Sequence, residues 1–151
     1  MTAAASAMVM TDPGRVLAID YGERRIGLAV SDPTRMIASP AGFVTRRAGK
    51  RPPVAELVRQ AEAFEVTALV VGLPLDDAGN ETPRSEEVRR IAAELERRTG
   101  LSVTLVDERY TTAAALRAIR DMGGSPRGRR GDVDSLAATI LLQHALATLP
   151  R

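Results

Sequence analysis

The sequence contains no cysteine, no tryptophan and only one histidine, His144, among its 151 residues. The absence of cysteine excludes a disulfide framework, a thiolate zinc site and a thiol nucleophile. One histidine excludes a His-rich metal centre and makes a histidine-based catalytic triad hard to build. Any catalysis by this chain therefore has to use carboxylates, hydroxyls and arginines.

Long apolar runs and lysine are also scarce. No stretch approaches the roughly 20 apolar residues that span a bilayer, and the first ten residues lack the basic start of a signal peptide. We therefore expect a cytoplasmic protein with no membrane partner. Lysine occurs once, at Lys50, so 20 of the 21 basic residues are arginine. Arginine binds phosphate bidentately, although a GC-rich coding bias explains most of this excess.

The length and the balance of residue types fit one globular domain. Hydrophobic residues make up 44% of the chain and charged residues 26%, which is close to the average for such domains. We interpret residues 1–13 as a flexible N-terminal extension and residues 14–151 as a single domain.

The pattern of apolar residues predicts three strands followed by alternating helices and strands. The first strands cover 15–20, 26–31 and 36–45, and Pro40 favours an edge position or a bulge for the third. Residues 54–64 have helical spacing behind Pro52 and Pro53, and residues 66–72 form a buried strand. This order predicts a mixed sheet, antiparallel at one side and parallel at the other, with helices on its faces.

The second half of the chain continues the alternation. Thr82 and Pro83 begin a helix that Gly100 ends, and residues 101–106 form the last strand. Another helix is expected from Thr111 or Thr112 to about Met122, followed by a loop rich in glycine and arginine at 123–131. The final helix is predicted over 132–149, with Asp132 as its N-cap.

Acidic residues stand at three places where the apolar pattern alone would not put them. Asp20 ends the first strand, Asp107 and Glu108 end the last, and Asp134 begins the apolar stripe of the final helix. Ligands of open α/β sheets gather at the carboxyl ends of the strands. Because strand side chains alternate between faces, only one of Asp107 and Glu108 joins Asp20 directly, and the pattern does not say which.

Three carboxylates without histidine or cysteine are hard oxygen ligands that suit Mg²⁺ or Mn²⁺. Two such ions about 3.5–4 Å apart support phosphodiester hydrolysis without any histidine. Each acid taken alone has a simpler explanation: Asp20 as a turn former, Asp134 as a charge at a helix start, and Asp107 or Glu108 as a partner of Arg109. Only their joint placement favours a site.

Four segments together resemble a known family. They are LAIDYGERRIGLAVS at 17–31, VGLPLDDAG at 71–79, DERYTT at 107–112 and GDVDSLAATILLQ at 131–143. In this order and spacing they resemble the YqgF family, also described as Holliday junction resolvases of the RuvX type or as nucleases of ribosomal RNA precursors. The resemblance implies a ribonuclease H-like α/β fold with a mixed five-stranded sheet flanked by helices, and a metal-dependent nuclease. It also implies that Asp20, Glu108 and Asp134 are the metal-binding catalytic acids.

Arginines cluster beside these acids. Arg24 and Arg25 follow Asp20, Arg109 follows Glu108, and a third group precedes Asp134, namely Arg127, Arg129 and Arg130. We expect these six to contact nucleic acid through its phosphates, although solvated arginines on loops look the same in a sequence. A further basic cluster contains Arg46, Arg47, Lys50 and Arg51. Aromatic residues are few, so stacking on bases would use Tyr21 or Tyr110 at most.

The sequence thus favours an endonuclease of structured nucleic acid, using Mg²⁺ or Mn²⁺ and most simply processing the ends of pre-16S rRNA. A Holliday junction resolvase of branched DNA is the main alternative. A non-catalytic nucleic-acid-binding module and a nucleotide-binding protein, the latter suggested by Asp20-Tyr21-Gly22, are less favoured. The chain could act as a monomer or as a homodimer, the latter suiting symmetric cleavage of branched DNA.

Overall fold

The computed structural model describes residues 12–46, 51–107, 109 and 130–149, with no side-chain description for 130–134. The described elements are β1 (Val16–Tyr21), β2 (Arg25–Ser31), β3 (Ala38–Thr45), α1 (Val54–Ala63), β4 (Ala68–Leu73), α2 (Pro83–Thr99), β5 (Ser102–Asp107) and α3 (Arg130–Leu146). Among these residues no helix is both long enough and apolar enough to cross a membrane.

The strands form one mixed sheet in the order β3-β2-β1-β4-β5. The hairpin-connected strands β1, β2 and β3 pair antiparallel, whereas β4 pairs parallel with both β1 and β5. The predicted five-stranded mixed sheet flanked by helices is therefore confirmed, including the antiparallel and parallel sides.

Alternation along the strands divides the core between two faces. Leu17, Ile19 and Tyr21 of β1 pack into a cluster with α1 and α2. Val16 and Ala18 pack on the other face against Ala138 and Leu142 of α3. We call these two sides the α1/α2 face and the α3 face. Ala138 and Ala145, two members of the predicted apolar stripe of this helix, are buried against the sheet.

Local signals set several element ends as predicted. Thr82 caps α2: its hydroxyl accepts a hydrogen bond from the Ser85 amide at 3.1 Å, and the Ser85 hydroxyl accepts one from the Thr82 amide at 2.7 Å. Gly100 ends α2 with φ +72°, a left-handed conformation that favours glycine. Pro40 lies in the edge strand β3, at an irregularity in the register with β2.

Two boundaries differ from the sequence prediction. The third strand begins at Ala38 rather than at 36, because the Asp32 carboxylate binds the amides of Met36 and Ile37 and holds them in a turn. The final helix covers Arg130–Leu146 rather than 132–149, so Asp132 is not its N-cap. Gly131 is tolerated inside the helix because glycine costs only about 1 kcal/mol there, less than packing on the sheet contributes. The predicted helix after Thr111 or Thr112 and residues 123–129 lie outside the described residues.

Candidate active site

Asp20 is a buried acid near the carboxyl end of the central strand β1. Its exposure is 1%. Val16 and Ala18 pack on the α3 face, and strand alternation puts Asp20 on that same face. A carboxylate buried among apolar residues is costly unless charged or hydrogen-bonding groups compensate it.

Glycines flank Asp20 in both neighbouring strands. Gly27 of β2 is its partner in the antiparallel pair. On the other side, Gly72 of β4 comes one residue after Val71, the partner of Ile19. Neither glycine carries a side chain, so the two strands next to β1 place no side chain on the α3 face directly beside the carboxylate. Glycine inside a strand often marks such a close approach to a ligand.

The register of β5 shows the face of one of the two acids that the sequence left unresolved. Val103 and Leu105 pack against the α1/α2 cluster, whereas Val106 packs against the α3 cluster. Asp107 therefore belongs to the face opposite Asp20. Glu108, the other candidate, lies outside the described residues.

Asp107 has a local partner instead. The Arg109 guanidinium donates to the Asp107 carboxylate, with Nη2 2.7 Å from Oδ2, and holds the pKa of that carboxyl below its usual range. The same guanidinium lies 3.4 Å from the carbonyl oxygen of Asp77. Arg109, expected from the sequence to bind nucleic acid, thus links the end of β5 to the loop after β4.

The start of α3 lies at the same end of the sheet. The Ser135 hydroxyl donates to the Leu28 carbonyl at 3.0 Å and accepts from the amides of Ala41 and Gly42. Leu28 pairs with Ile19, the residue before Asp20. The N-terminal part of α3, which contains Asp134 in its second turn, is therefore anchored on the strands beside Asp20. The Asp134 side chain is outside the described part.

The predicted nucleic-acid-binding arginines differ in their exposure and in whether the structure describes their side chains. Arg24 is exposed in the turn between β1 and β2, and Arg25 is half-buried at the start of β2. Arg130 is the first residue of α3, with no described side chain, and Arg127 and Arg129 lie outside the described residues.

The additional basic cluster is divided by the fold. Arg46 forms an ion pair with Glu87 at 2.7 Å. Arg51 lines a groove of about 460 Å³ next to α1 and α2, on the face away from Asp20. Arg47 and Lys50 lie outside the described residues. Arg46 and Arg51 therefore do not join the site around Asp20.

Tyr21 is not available for base stacking, so this prediction is wrong. The residue is 2% exposed on the α1/α2 face, and the Arg46 guanidinium lies 4.5 Å from the centre of its ring. Burial raises the pKa of Tyr21 to about 12. The alternation of Leu17, Ile19 and Tyr21 could have revealed this from the sequence, because the buried side of a strand keeps period two. Tyr110 lies outside the described residues.

The described side chains include no cluster of three or more acids or histidines that could hold a metal ion. The described side chains include that of Asp20 but neither that of Glu108 nor that of Asp134. His144 lies exposed in the last turn of α3, at the end of the helix remote from Ser135. The fold therefore brings the Asp20 strand end and the N-terminal part of α3 together, with β5 ending two strands away from β1.

The fold is that of the ribonuclease H-like resolvases. Thermus thermophilus RuvC in complex with a Holliday junction superposes with a TM-score of 0.52 at 17% identity, covering 87% of this chain and 93% of that one. A fowlpox virus resolvase bound to Holliday junction DNA gives 0.53 at 9% identity, covering 91% and 99%. At such identities the likeness shows the fold alone.

The sequence places the chain within one family of nucleases. A family model described as "RuvX: Holliday junction resolvase" matches residues 14–148, and the chain belongs to this family. A Roseiflexus protein is 43% identical over 136 residues, covering 90% of this chain and 96% of that protein. A Maridesulfovibrio salexigens protein is 41% identical over 133 residues, covering 88% and 98%. Both carry the name "Putative pre-16S rRNA nuclease". The resemblance stated from the motifs is confirmed, and with it a nuclease partnered by nucleic acid.

Proposed function

We propose that this chain is a metal-dependent endonuclease in which Asp20, Glu108 and Asp134 hold Mg²⁺ or Mn²⁺. The observation that carries the proposal is the position of Asp20: a carboxylate buried at the end of the central strand, between two glycines, on the face covered by α3. The family to which the chain belongs consists of nucleases, which agrees with this chemistry.

The donor set suits hard divalent cations, because all three proposed ligands are carboxylates. When bound, such ions supply an activated water and stabilise the leaving oxygen of a phosphodiester. The protein's own contribution is positional. Asp20 is held by strand pairing on both sides, and the Ser135 contacts anchor the N-terminal part of α3 on the strands beside it.

For the substrate we propose structured RNA, specifically the ends of pre-16S rRNA during ribosome biogenesis in the cytoplasm. Support comes from the names of relatives at 41–43% identity that match nearly the whole chain. The second candidate is a Holliday junction resolvase of branched DNA, which the description of the matching family favours. Arg24, Arg25, Arg109, Arg127, Arg129 and Arg130 are proposed to bind phosphates in either case.

The proposal also covers the oligomeric state of the protein and the extent of its nuclease domain. A monomer suffices for trimming RNA ends, whereas symmetric cleavage of a four-way junction favours a homodimer. Residues 14–151 are proposed as the nuclease domain, with residues 1–13 as a flexible extension.

The experiment compares cleavage of precursor 16S rRNA, single-stranded RNA and a four-way DNA junction in Mg²⁺ and in Mn²⁺. Asp20→Asn, Glu108→Gln and Asp134→Asn are tested beside Glu62→Gln, which alters an exposed carboxylate of α1. We expect metal-dependent cleavage that the first three variants lose and the fourth keeps. Retained cleavage in Asp20→Asn, or no cleavage of any substrate by the unaltered protein, would contradict the proposal.

A further inference from the structure

Phe43 is a large aromatic side chain that the fold leaves exposed. It lies in the edge strand β3 and is 43% exposed, whereas its neighbour Val44 is 6% exposed and packs into the α1/α2 cluster. Strand alternation therefore puts the Phe43 ring on the α3 face, the same face as Asp20. The Phe43 ring is therefore accessible to a ligand that occupies the α3 face of the sheet.

The sheet register aligns Phe43 with Asp20. Asp20 of β1 pairs with Gly27 of β2, and Gly27 pairs with Phe43 of β3. Adjacent strands are about 4.8 Å apart, so two strand spacings separate the two backbones by roughly 10 Å. Gly27 has no side chain, and nothing from that position stands between the carboxylate and the ring.

The surroundings of Phe43 have the charge that a phosphate backbone requires. An open depression of about 440 Å³ is lined by Arg24, Arg25, Phe43, Thr45 and Arg46, without any carboxylate. The Arg25 guanidinium lies 5.7 Å from the ring centre. The amide of Gly42, the residue before Phe43, donates to the Ser135 hydroxyl. The strand segment next to Phe43 is therefore in contact with α3, close to the start of that helix.

We propose that Phe43 is a stacking platform for an unpaired base next to the cleaved phosphodiester, with Arg24 and Arg25 binding the adjoining phosphates. The inference rests on the proposed nuclease function and specifies its substrate: nucleic acid with an unpaired nucleotide flanking the cut. Base–aromatic stacking is tolerant of sequence, because every base has a π-face. At this position the enzyme therefore recognises that a nucleotide is unpaired, and not which base it carries.

The test uses binding, so that it does not depend on turnover. RNA oligonucleotides with 2-aminopurine at successive positions around a bulge, and a fully paired duplex, are titrated with Asp20→Asn protein. Phe43→Leu is added in the same background, with Phe43→Tyr as the aromatic rescue and Ile37→Ala, 63% exposed in the loop before β3, as the matched control. Thermal melting verifies that each variant folds.

We expect 2-aminopurine fluorescence to be quenched at one or two positions beside the cleavage site. Phe43→Leu removes the quenching and weakens binding of the bulged RNA about 5- to 100-fold, whereas duplex binding changes little. Phe43→Tyr and Ile37→Ala behave like the parent protein. Equal quenching and equal affinity in Phe43→Leu, or an equal loss on duplex and bulged RNA, would overturn the stacking platform.

The experiments distinguish a failure of the proposed nuclease function from a failure of the proposed stacking platform. If the unaltered protein cleaves nothing in Mg²⁺ or Mn²⁺ while Phe43→Leu still loses the fluorescence signal, the nuclease mechanism fails and the stacking platform remains. If the unaltered protein cleaves but shows no difference between bulged and paired substrates, and Phe43→Leu cleaves both equally well, the platform fails and the nuclease remains.

Discussion

Arg109 binds Asp107 through three donors at the end of β5. Its Nε lies 2.9 Å from Oδ2, its Nη2 lies 2.7 Å from the same oxygen, and its backbone amide lies 3.1 Å from Oδ1. The acid is thus engaged in an ion pair and belongs to the face opposite Asp20. Of the two consecutive acids in this segment, Asp107 therefore has a structural role as the ion-pair partner of Arg109. This role leaves Glu108 as the candidate for the proposed metal site.

The first prediction separates these two acids. We expect Glu108→Gln to lower metal-dependent cleavage by about 100-fold or more, because losing a direct ligand exceeds the 10- to 100-fold cost of losing an outer partner. Asp107→Asn removes only a partly exposed ion pair, worth about 0–1 kcal/mol, and should keep cleavage within about threefold. Single-turnover rates in Mn²⁺ measure both. The reverse order of effects would assign the site to Asp107.

The second prediction concerns the buried hydroxyl of Tyr21. Among the described residues no group forms a hydrogen bond with Tyr21 Oη. An unsatisfied buried hydroxyl is destabilising, so Tyr21→Phe should leave the protein as stable as before or more stable by about 1 kcal/mol. The ring contact with Arg46 is kept in this variant. Urea denaturation gives the free energy of unfolding, and a clear loss of stability would show that the hydroxyl has a partner outside the described residues.

The third prediction concerns phosphate binding by Arg24. If this exposed arginine contacts one phosphate, Arg24→Ala should weaken binding similarly for all sequences. It should also reduce the slope of log K against log salt by about 0.7–0.9. Arg59→Ala is the matched control, because Arg59 is an exposed arginine of α1 that pairs with Glu56. Filter binding at several salt concentrations measures the slope. An unchanged slope would identify Arg24 as a solvated arginine.

The fourth prediction concerns the turn between β2 and β3. The Thr34 hydroxyl and the amides of Ile37 and Met36 donate to the Asp32 carboxylate and hold its pKa well below the usual 3.8. A carboxyl with a lowered folded-state pKa contributes stability above its unfolded pKa and loses it as the pH falls towards the folded value. Asp32→Ala should therefore unfold at lower urea than the parent protein at neutral pH.

This difference should shrink progressively below pH 3.8. Urea midpoints of both proteins measured from neutral to strongly acidic pH provide the check. A difference that stays constant over that range would show that the hydrogen bonds, and not the charge of the carboxylate, maintain the turn.

Much of the fold follows from local sequence signals. Thr82, Pro83 and Gly100 set the ends of α2, and Pro40 indicated the irregular edge strand, because caps and prolines act on the backbone near them. The start of α3 was missed by two residues. Gly131 favoured a loop in the sequence prediction because glycine has a weak helix preference. In the structure, packing of the helix on the sheet outweighs this preference of one glycine.

The sequence by itself determined the order of strands and helices, the family and the candidate acids, because apolar periodicity and motif spacing are properties of the chain alone. Tertiary structure decided which residues share a face. Pairing across the sheet puts Asp20, Gly27 and Phe43 in one row, buries Tyr21 beneath Arg46, and turns Asp107 away from Asp20. Strand register fixes these relationships, and register depends on long-range pairing that a single strand's sequence does not contain.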